Sequence, residues 1–391
     1  MKKAGIVVIG GGVVGASVAC HLAGRGAKDV LILESEPVQG LGSTGKATGG
    51  VRAQFETAIN ISMSLYSLDF FKNWRFDCKY EPRGYLFFAT EDAHLEYLTQ
   101  NVEMQKKMGV KDVETVDPQQ INEICPILNC EDIVGGTFGA NDGFIDPLSV
   151  MRGFTEEALS AGAKIAFDTR VLSIGVRGGR VRLVETDKGM IECENAVVCT
   201  GAYAGELART AGVDLPVAPQ KRQIIWAKSE TRMPANLPMV IDIGSGFHFR
   251  PARDFVNPAS VDETKEVLFA YPDPDEPDSF DTSFEEAFID KVYKKAEHRS
   301  PFLFQSKPVI EKCRAGLYEN TPDHHAILGG CGVEGLYFAN GFSGHGVMHS
   351  PASGRALAEI ILDGSASFLD VSSLELGRFS KNELLHETAF I

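Results

Sequence analysis

The stretch IVVIGGGVVGASVACHLAGRGAKDVLILE, residues 6–34, decides how this chain is read. It opens on β-branched apolar residues, passes through a glycine cluster into a helix-compatible run, and closes on the apolar Val30–Leu33. A strand over 4–9, a glycine turn, a helix over 12–26 and a strand over 30–33 make a βαβ unit. Gly10, Gly12 and Gly15 fit GxGxxG, with Val13 and Val14 between the last two. Glycines there let the backbone approach a pyrophosphate, and the helix start offers it free N–H groups and partial positive charge. Glu34 lies nineteen residues after Gly15, at the end of the second strand, where a carboxylate accepts bonds from a ribose hydroxyl pair. A glycine cluster alone also suits a structural turn. The agreement of strand, helix and acid selects a dinucleotide site.

GxGxxG does not separate NAD from FAD. The polar loop Gly40–Gly50, with Gly42, Ser43 and Thr44, follows the acid directly. Its small residues can wrap the pyrophosphate and ring of a bulky ligand, or form an ordinary surface loop. Beyond it the pattern predicts a helix over 57–75, a strand over 85–89, an amphipathic helix over 92–108 and a helix over 148–161 with Pro147 in its first turn. From 164 to 200 it predicts strands with tight turns. The Pro- and Asp-rich segment 251–284 reads as an exposed loop. The end of the chain reads as a strand over 335–339, a glycine turn, and a helix from about Pro351 to Leu362, capped by Ser350 and stopped by Gly364.

A chain of 391 residues is long for one core, so two domains are expected. The net charge of -15 disfavours nucleic acid and anionic membrane surfaces as partners. No apolar run approaches the roughly 20 residues of a transmembrane helix, and the glycines after Ile9 break any signal-peptide core. The eight cysteines include no CxxC pair and several sit in apparent strands or helices. Buried free thiols and a cytoplasmic setting follow. His324 and His325, read as strand neighbours, face opposite ways, so no metal site is expected.

Taken together the motifs resemble the D-amino acid oxidase superfamily of FAD enzymes, in the branch of glycine oxidase, monomeric sarcosine oxidase, the sarcosine oxidase β subunit and the L-proline dehydrogenase β subunit. The carriers, besides GxGxxG with Glu34, are Gly42-Ser43-Thr44 leading to Arg52, Pro82-Arg83-Gly84-Tyr85, and Asp142-Gly143-Phe144-Ile145-Asp146-Pro147. Thr200-Gly201-Ala202-Tyr203, the run from Gly316 to Asp323 and the turn from Asn340 to Gly346 complete the set. The resemblance implies an α/β (α+β) fold: a Rossmann-like FAD-binding domain from 1–80, 147–220 and 325–391, and a mixed-sheet substrate domain from 81–146 and 221–324. Ser43, Thr44, Thr200 and Gly201 would join the GxGxxG residues around the cofactor, and Val171 would meet the adenine through its backbone. Gly341, Ser343, Gly344, His345 and Gly346 would pass beside the flavin, with the following helix aimed at its pyrimidine side.

The implied reaction is hydride transfer from a C–N donor, a small amino acid or secondary amine, to FAD. The imine formed is then hydrolysed. Arg52 matches the arginine that holds the substrate carboxylate in monomeric sarcosine oxidases, and a guanidinium fork suits that task. Two positions depart from the pattern. Met348 stands where those oxidases carry a lysine, and Tyr318 where glycine oxidases carry an arginine. A second carboxylate contact must then come from elsewhere, with Arg250 and His349 as candidates. His248 falls near the oxygen-activating lysine of the sarcosine oxidases. Gly316 and Lys46 replace the cysteine and histidine by which family members attach flavin, so FAD is expected to be non-covalent. A partner subunit or electron-acceptor protein is compatible with the branch. A non-catalytic assembly flavoprotein of the same fold is the alternative.

Overall fold

The computed structural model describes residues 2–252 and 263–387. The strand Lys2–Ile9 runs parallel between Val30–Leu33 and Gly189–Val198. Lys164–Ala166 extends the sheet beyond Val30–Leu33, and Leu336–Asn340 and Ile327–Gly330 extend it on the other side. Val7 and Val8 are both fully buried, so this strand is covered on both faces, as a parallel sheet requires. The hairpin Val171–Arg177 and Arg180–Thr186 continues it antiparallel from Gly189–Val198.

One face carries the helix Val13–Gly24, packed against Pro147–Ser160 and Gly346–Asp363. Small residues make the last contact close. A side chain at Gly354 would begin 2.2 Å from Ser17 Oγ, and that hydroxyl donates to Ser350 O at 2.7 Å. Asp146 caps Pro147–Ser160 by accepting from the N–H groups of Leu148 and Ser149.

The second sheet is mixed. Its order is Lys307–Pro308, Ala218–Pro234, Glu263–Ala270, His248–Pro251, Met239–Asp242, Tyr85–Ala89, Gly135–Gly139 and Val113–Val116. Arg314–Asn320 also pairs with the long strand Ala218–Pro234. The pairing of Met239–Asp242 with Tyr85–Ala89 is parallel, while the other pairings are antiparallel. Alternate residues such as Leu86, Phe88, Val240, Phe249 and Phe269 build its core.

The structure differs from the sequence reading at four places. Within 251–284, Glu263–Ala270 is a central strand, not loop; the flanking prolines and acids masked its apolar second half, and residues 253–262 lie outside the described part. Gly40–Gly50 holds a short helical turn, Ser43–Lys46. Thr321–Ala326 is a turn with His324 at φ 57°, not a strand. The last long helix starts at Gly346, a full turn before Pro351. Pro351 has no N–H for Val347 O, but the Ser350 hydroxyl donates to that carbonyl at 2.9 Å. The neighbouring side chain thus replaces the missing backbone donor, and the helix tolerates an interior proline.

Candidate active site

The glycine turn is built to leave its surface bare. Gly10 has φ 102°, and a side chain on it would begin 2.4 Å from Cys199 O. One on Gly15 would begin 2.0 Å from Gly10 O, so strand and helix touch backbone to backbone there. Glu34 Oε2 accepts from Gly11 N at 2.9 Å, which fixes the carboxylate beside the turn. Thr44 Oγ1 accepts from Val13 N at 3.1 Å, and Ser43 Oγ donates to Leu317 O at 2.8 Å. The short turn Ser43–Lys46 is thereby fastened between the helix start and the second sheet.

Gly10, Val13, Glu34, Ser43, Thr44 and Leu317 line a cavity of about 800 Å3, in the upper part of the roughly 300–1,000 Å3 range of ligand sites. Gly10, Gly12, Val13, Val14 and Glu34 form one end, with Ser43 and Thr44 beside them, and Val171 is also in the wall. Thr200 and Gly201 line the cavity as well, and the Thr200 hydroxyl is buried without a partner. Turned with its oxygen toward them, the Asn340 amide accepts from Gly201 N and Thr200 N at 3.0 and 3.3 Å. Gly344, His345, Gly346 and Met348 bring the start of the last helix to the same cavity. Gly15, Gly341 and Ser343 stand behind the wall. Gly15 packs on Gly10, Gly341 has φ 75° and packs on Thr321, and Ser343 Oγ accepts from Thr321 N at 3.4 Å. A pyrophosphate seat on a helix start, a ribose acceptor, an orphaned hydroxyl and a second helix start fit FAD.

The opposite wall comes from the second sheet, through Tyr85, Met239, Ile241, His248 and Tyr318. Arg52 joins it, 3% exposed, its guanidinium 3.9 Å from the Phe55 ring centroid and 5.3 Å from that of Phe87. It donates to Gln54 O, and its Nη2 lies 3.5 Å from His345 Nε2. The segment after it is pinned by Asp142, whose carboxylate accepts from Ala53 N at 2.7 Å and Gln54 Nε2 at 2.9 Å. Burial pushes the Asp142 carboxyl up to about 7. His345 titrates well below the usual imidazole range, first through burial and then through the Arg52 charge, so it is neutral. Burial lowers His248 too, and its Nδ1 donates to Gly246 O at 2.8 Å.

The two basic residues proposed for a second anion contact are committed elsewhere. Arg250 donates to Pro251 O at 2.9 Å and Thr48 O at 2.5 Å, and its guanidinium lies 4.5 Å from the Phe144 ring. His349 bonds Ser64 Oγ at 2.9 Å, and burial followed by the Arg52 charge lowers it to about 3. Sequence reasoning missed two side chains that do line the cavity. Arg222 lies on the long strand Ala218–Pro234. Glu319 accepts from Gly341 N at 3.0 Å, and burial raises its carboxyl to about 7. Alternation along the two strands was the available signal for both. A further missed residue, Glu387, accepts from Glu56 N and Thr57 N at 2.9 and 3.3 Å, capping the helix Ala58–Asn73 from a distant part of the chain. Among the described residues no group of three His, Cys, Asp or Glu side chains converges.

Comparison with known proteins agrees with this geometry. A family profile described as FAD dependent oxidoreductase matches residues 5–360. The FAD-dependent oxidoreductase domain-containing protein 1 of Xenopus laevis is 31% identical, the match covering 99% of this chain and 84% of that protein. Human mitochondrial dimethylglycine dehydrogenase is 27% identical over 97% of this chain and 45% of its own length. Among solved structures, L-proline dehydrogenase from P. horikoshii superposes with a TM-score of 0.88 at 28% identity, covering 98% of this chain and all of that one.

Proposed function

The chain belongs to the FAD-dependent oxidoreductase family, and on that premise we propose that it oxidises the C–N bond of a small amino acid or secondary amine whose carboxylate Arg52 holds. The observation that carries this is the buried Arg52 guanidinium on the wall of the cofactor cavity. Similarity to proteins named for dimethylglycine and for 4-methylaminobutanoate supports a C–N donor. So does similarity to the L-proline dehydrogenase. Bound FAD supplies the hydride acceptor. The substrate C–H bond breaks with its electron pair, the nitrogen lone pair closes a C=N bond, and water hydrolyses the product. The protein's share is orientation and exclusion of water.

Arg52 fixes the carboxylate, and the Tyr85 and Tyr318 rings bound the space beside it. The segment carrying Thr282, which lines the cavity, is held by Lys221, which pairs with Glu276 at 3.2 Å, Asp281 at 2.9 Å and Glu285. In the same segment Phe280 stacks on Tyr203, a lining residue, with ring centroids 4.8 Å apart. We assign the first sheet and its helices, 1–80, 147–220 and 325–391, to cofactor binding, and 81–146 with 221–324 to the substrate. A cytoplasmic setting, supported by the free cysteines, belongs to the same reading. Among the described residues no helix is long and apolar enough to cross a membrane. The direct test is anaerobic addition of an amino acid and amine panel. Bleaching by at least one C–N donor is expected, and no bleaching by any overturns the reading in favour of an assembly flavoprotein.

FAD is held without a covalent bond in this proposal. Lys46 and Gly316 lie side by side in the cavity wall, where a side chain on Gly316 would begin 3.2 Å from Lys46 Cβ. Neither has attachment chemistry. Acid precipitation should leave the yellow colour in the supernatant; a coloured pellet would contradict this.

His248 bears on the electron acceptor. With Nδ1–H tied to Gly246 O and burial favouring the neutral ring, it places no fixed positive charge beside the flavin. Such a charge is what stabilises developing superoxide. Reoxidation by oxygen should therefore be slow, with His248→Lys speeding it several-fold and an artificial dye outperforming oxygen in the parent protein. Stopped-flow traces showing rapid reoxidation of the parent, unchanged by the substitution, would refute the role.

A further inference from the structure

Arg222 sits on Ala218–Pro234 directly across from Gly316 of the neighbouring antiparallel strand. With no side chain opposite, its guanidinium can lean along the sheet, and it comes to 5.3 Å from the Tyr318 ring centroid. It lines the cavity, half-buried. Its Nη1 donates only to Lys221 O at 3.2 Å, and its Nε is buried with no hydrogen-bond partner. The nearby carboxylates are already engaged, Glu276 by Lys221 and Asp273 by Lys291. Among the described residues none lies within ion-pair distance of Arg222. A buried charged donor left unsatisfied is costly, and such a group in a cavity wall calls for a ligand.

Tyr318, whose ring Arg222 approaches, lines the same cavity as Arg52. The two guanidiniums therefore share one cavity with this tyrosine. A single carboxylate needs only one of them, and Arg52 is the one set beside the flavin turn through His345.

We propose that Arg222 is a second anion-binding residue of the substrate pocket, and that the preferred donors are secondary amines carrying two carboxylates, one held by Arg52 and one by Arg222. This rests on the C–N oxidation proposed above. It makes Arg222 a specificity residue: it selects among amines without taking part in breaking the C–H bond. Like other guanidinium–carboxylate contacts, this one depends on the fork geometry, so lysine is an incomplete substitute.

The test uses the FAD-loaded protein and two acids that cannot be oxidised at nitrogen: thiodiacetate, with two carboxylates, and (methylthio)acetate, with one. Binding is read from perturbation of the flavin absorption band, at equal flavin content for every variant. The parent protein is expected to bind thiodiacetate about tenfold more tightly, the value of one charge-assisted contact. Arg222→Gln should erase that preference, and Arg222→Lys should restore part of it. Equal affinity of the parent for the two acids would overturn the proposal, as would a variant that weakens both acids alike. A parent that distinguishes the acids but is bleached by no amine would uphold the Arg222 site and reject the oxidation reading, so the two failures are separable.

Discussion

Gly12→Val is expected to yield a folded, colourless protein. Gly12 has ordinary extended backbone angles, φ -65° and ψ -179°, and the nearest atom to an added Cβ is Thr44 Oγ1 at 3.3 Å. Backbone and packing therefore accept a small side chain with little change in stability. The cavity does not accept it, because Gly12 lines the end where the helix Val13–Gly24 begins. A valine there stands between the helix start and a pyrophosphate. Losing two charge-assisted contacts at roughly 1.5–3 kcal/mol each weakens FAD binding by at least about a hundredfold. Gly15→Val serves as the contrast. Its Cβ would meet Gly10 O at 2.0 Å, so strand and helix must separate, and both thermal stability and flavin are lost together. Flavin absorbance per chain and the thermal midpoint, measured on both variants, distinguish the cases. A yellow Gly12→Val protein would mean the pyrophosphate lies elsewhere.

The contrast between these glycines shows what sequence can carry. GxGxxG with Glu34 is legible because the motif encodes the turn, the helix start and the acid on the next strand at fixed spacing, and Glu34 bonds back to Gly11 N. The strands Val30–Leu33 and Tyr85–Ala89 were legible for the same reason: each is a short apolar run between clear breaks. The start of the last helix was not. Pro351 next to Ser350 satisfies every local rule for a helix start, yet the serine hydroxyl supplies the donor the proline lacks and the helix continues back to Gly346. That shift matters, because it places Gly346 and Met348, rather than Ser350, at the cavity. Glu387 was illegible for a different reason. It caps a helix whose first residue, Ala58, is more than three hundred positions earlier, and no local pattern records such a contact. Arg222 lay between the two cases. Alternation along Ala218–Pro234 puts it on one face with Gln220, but only the pairing register shows that the residue across from it is a glycine.

Arg52→Ala is expected to raise KM for a carboxylate-bearing amine roughly 10- to 100-fold, the loss of about 1.5–3 kcal/mol of charge-assisted binding. The surrounding structure says why this residue can be removed without losing the cofactor. Arg52 is supported from the protein side, by Phe55 and Phe87 beneath its guanidinium and by Gln54 O, while the Gly10–Val14 turn and Glu34 make their own contacts with Thr44 and Gly11. Flavin content should stay near that of the parent. Some stability should go, since truncation uncovers buried aromatic surface and leaves Gln54 O without its donor. Arg52→Lys should recover only part of the binding, because an ammonium cannot form the two parallel bonds of the fork. Amines without a carboxylate should respond little to either change. Steady-state KM for a paired set, one amine with and one without the acid, measured alongside flavin content, decides the matter. Loss of flavin in Arg52→Ala would make the residue a cofactor contact. An unchanged KM would move the carboxylate to Arg222, a second guanidinium in the cavity wall, since Arg250 and His349 are held by backbone carbonyls and by Ser64.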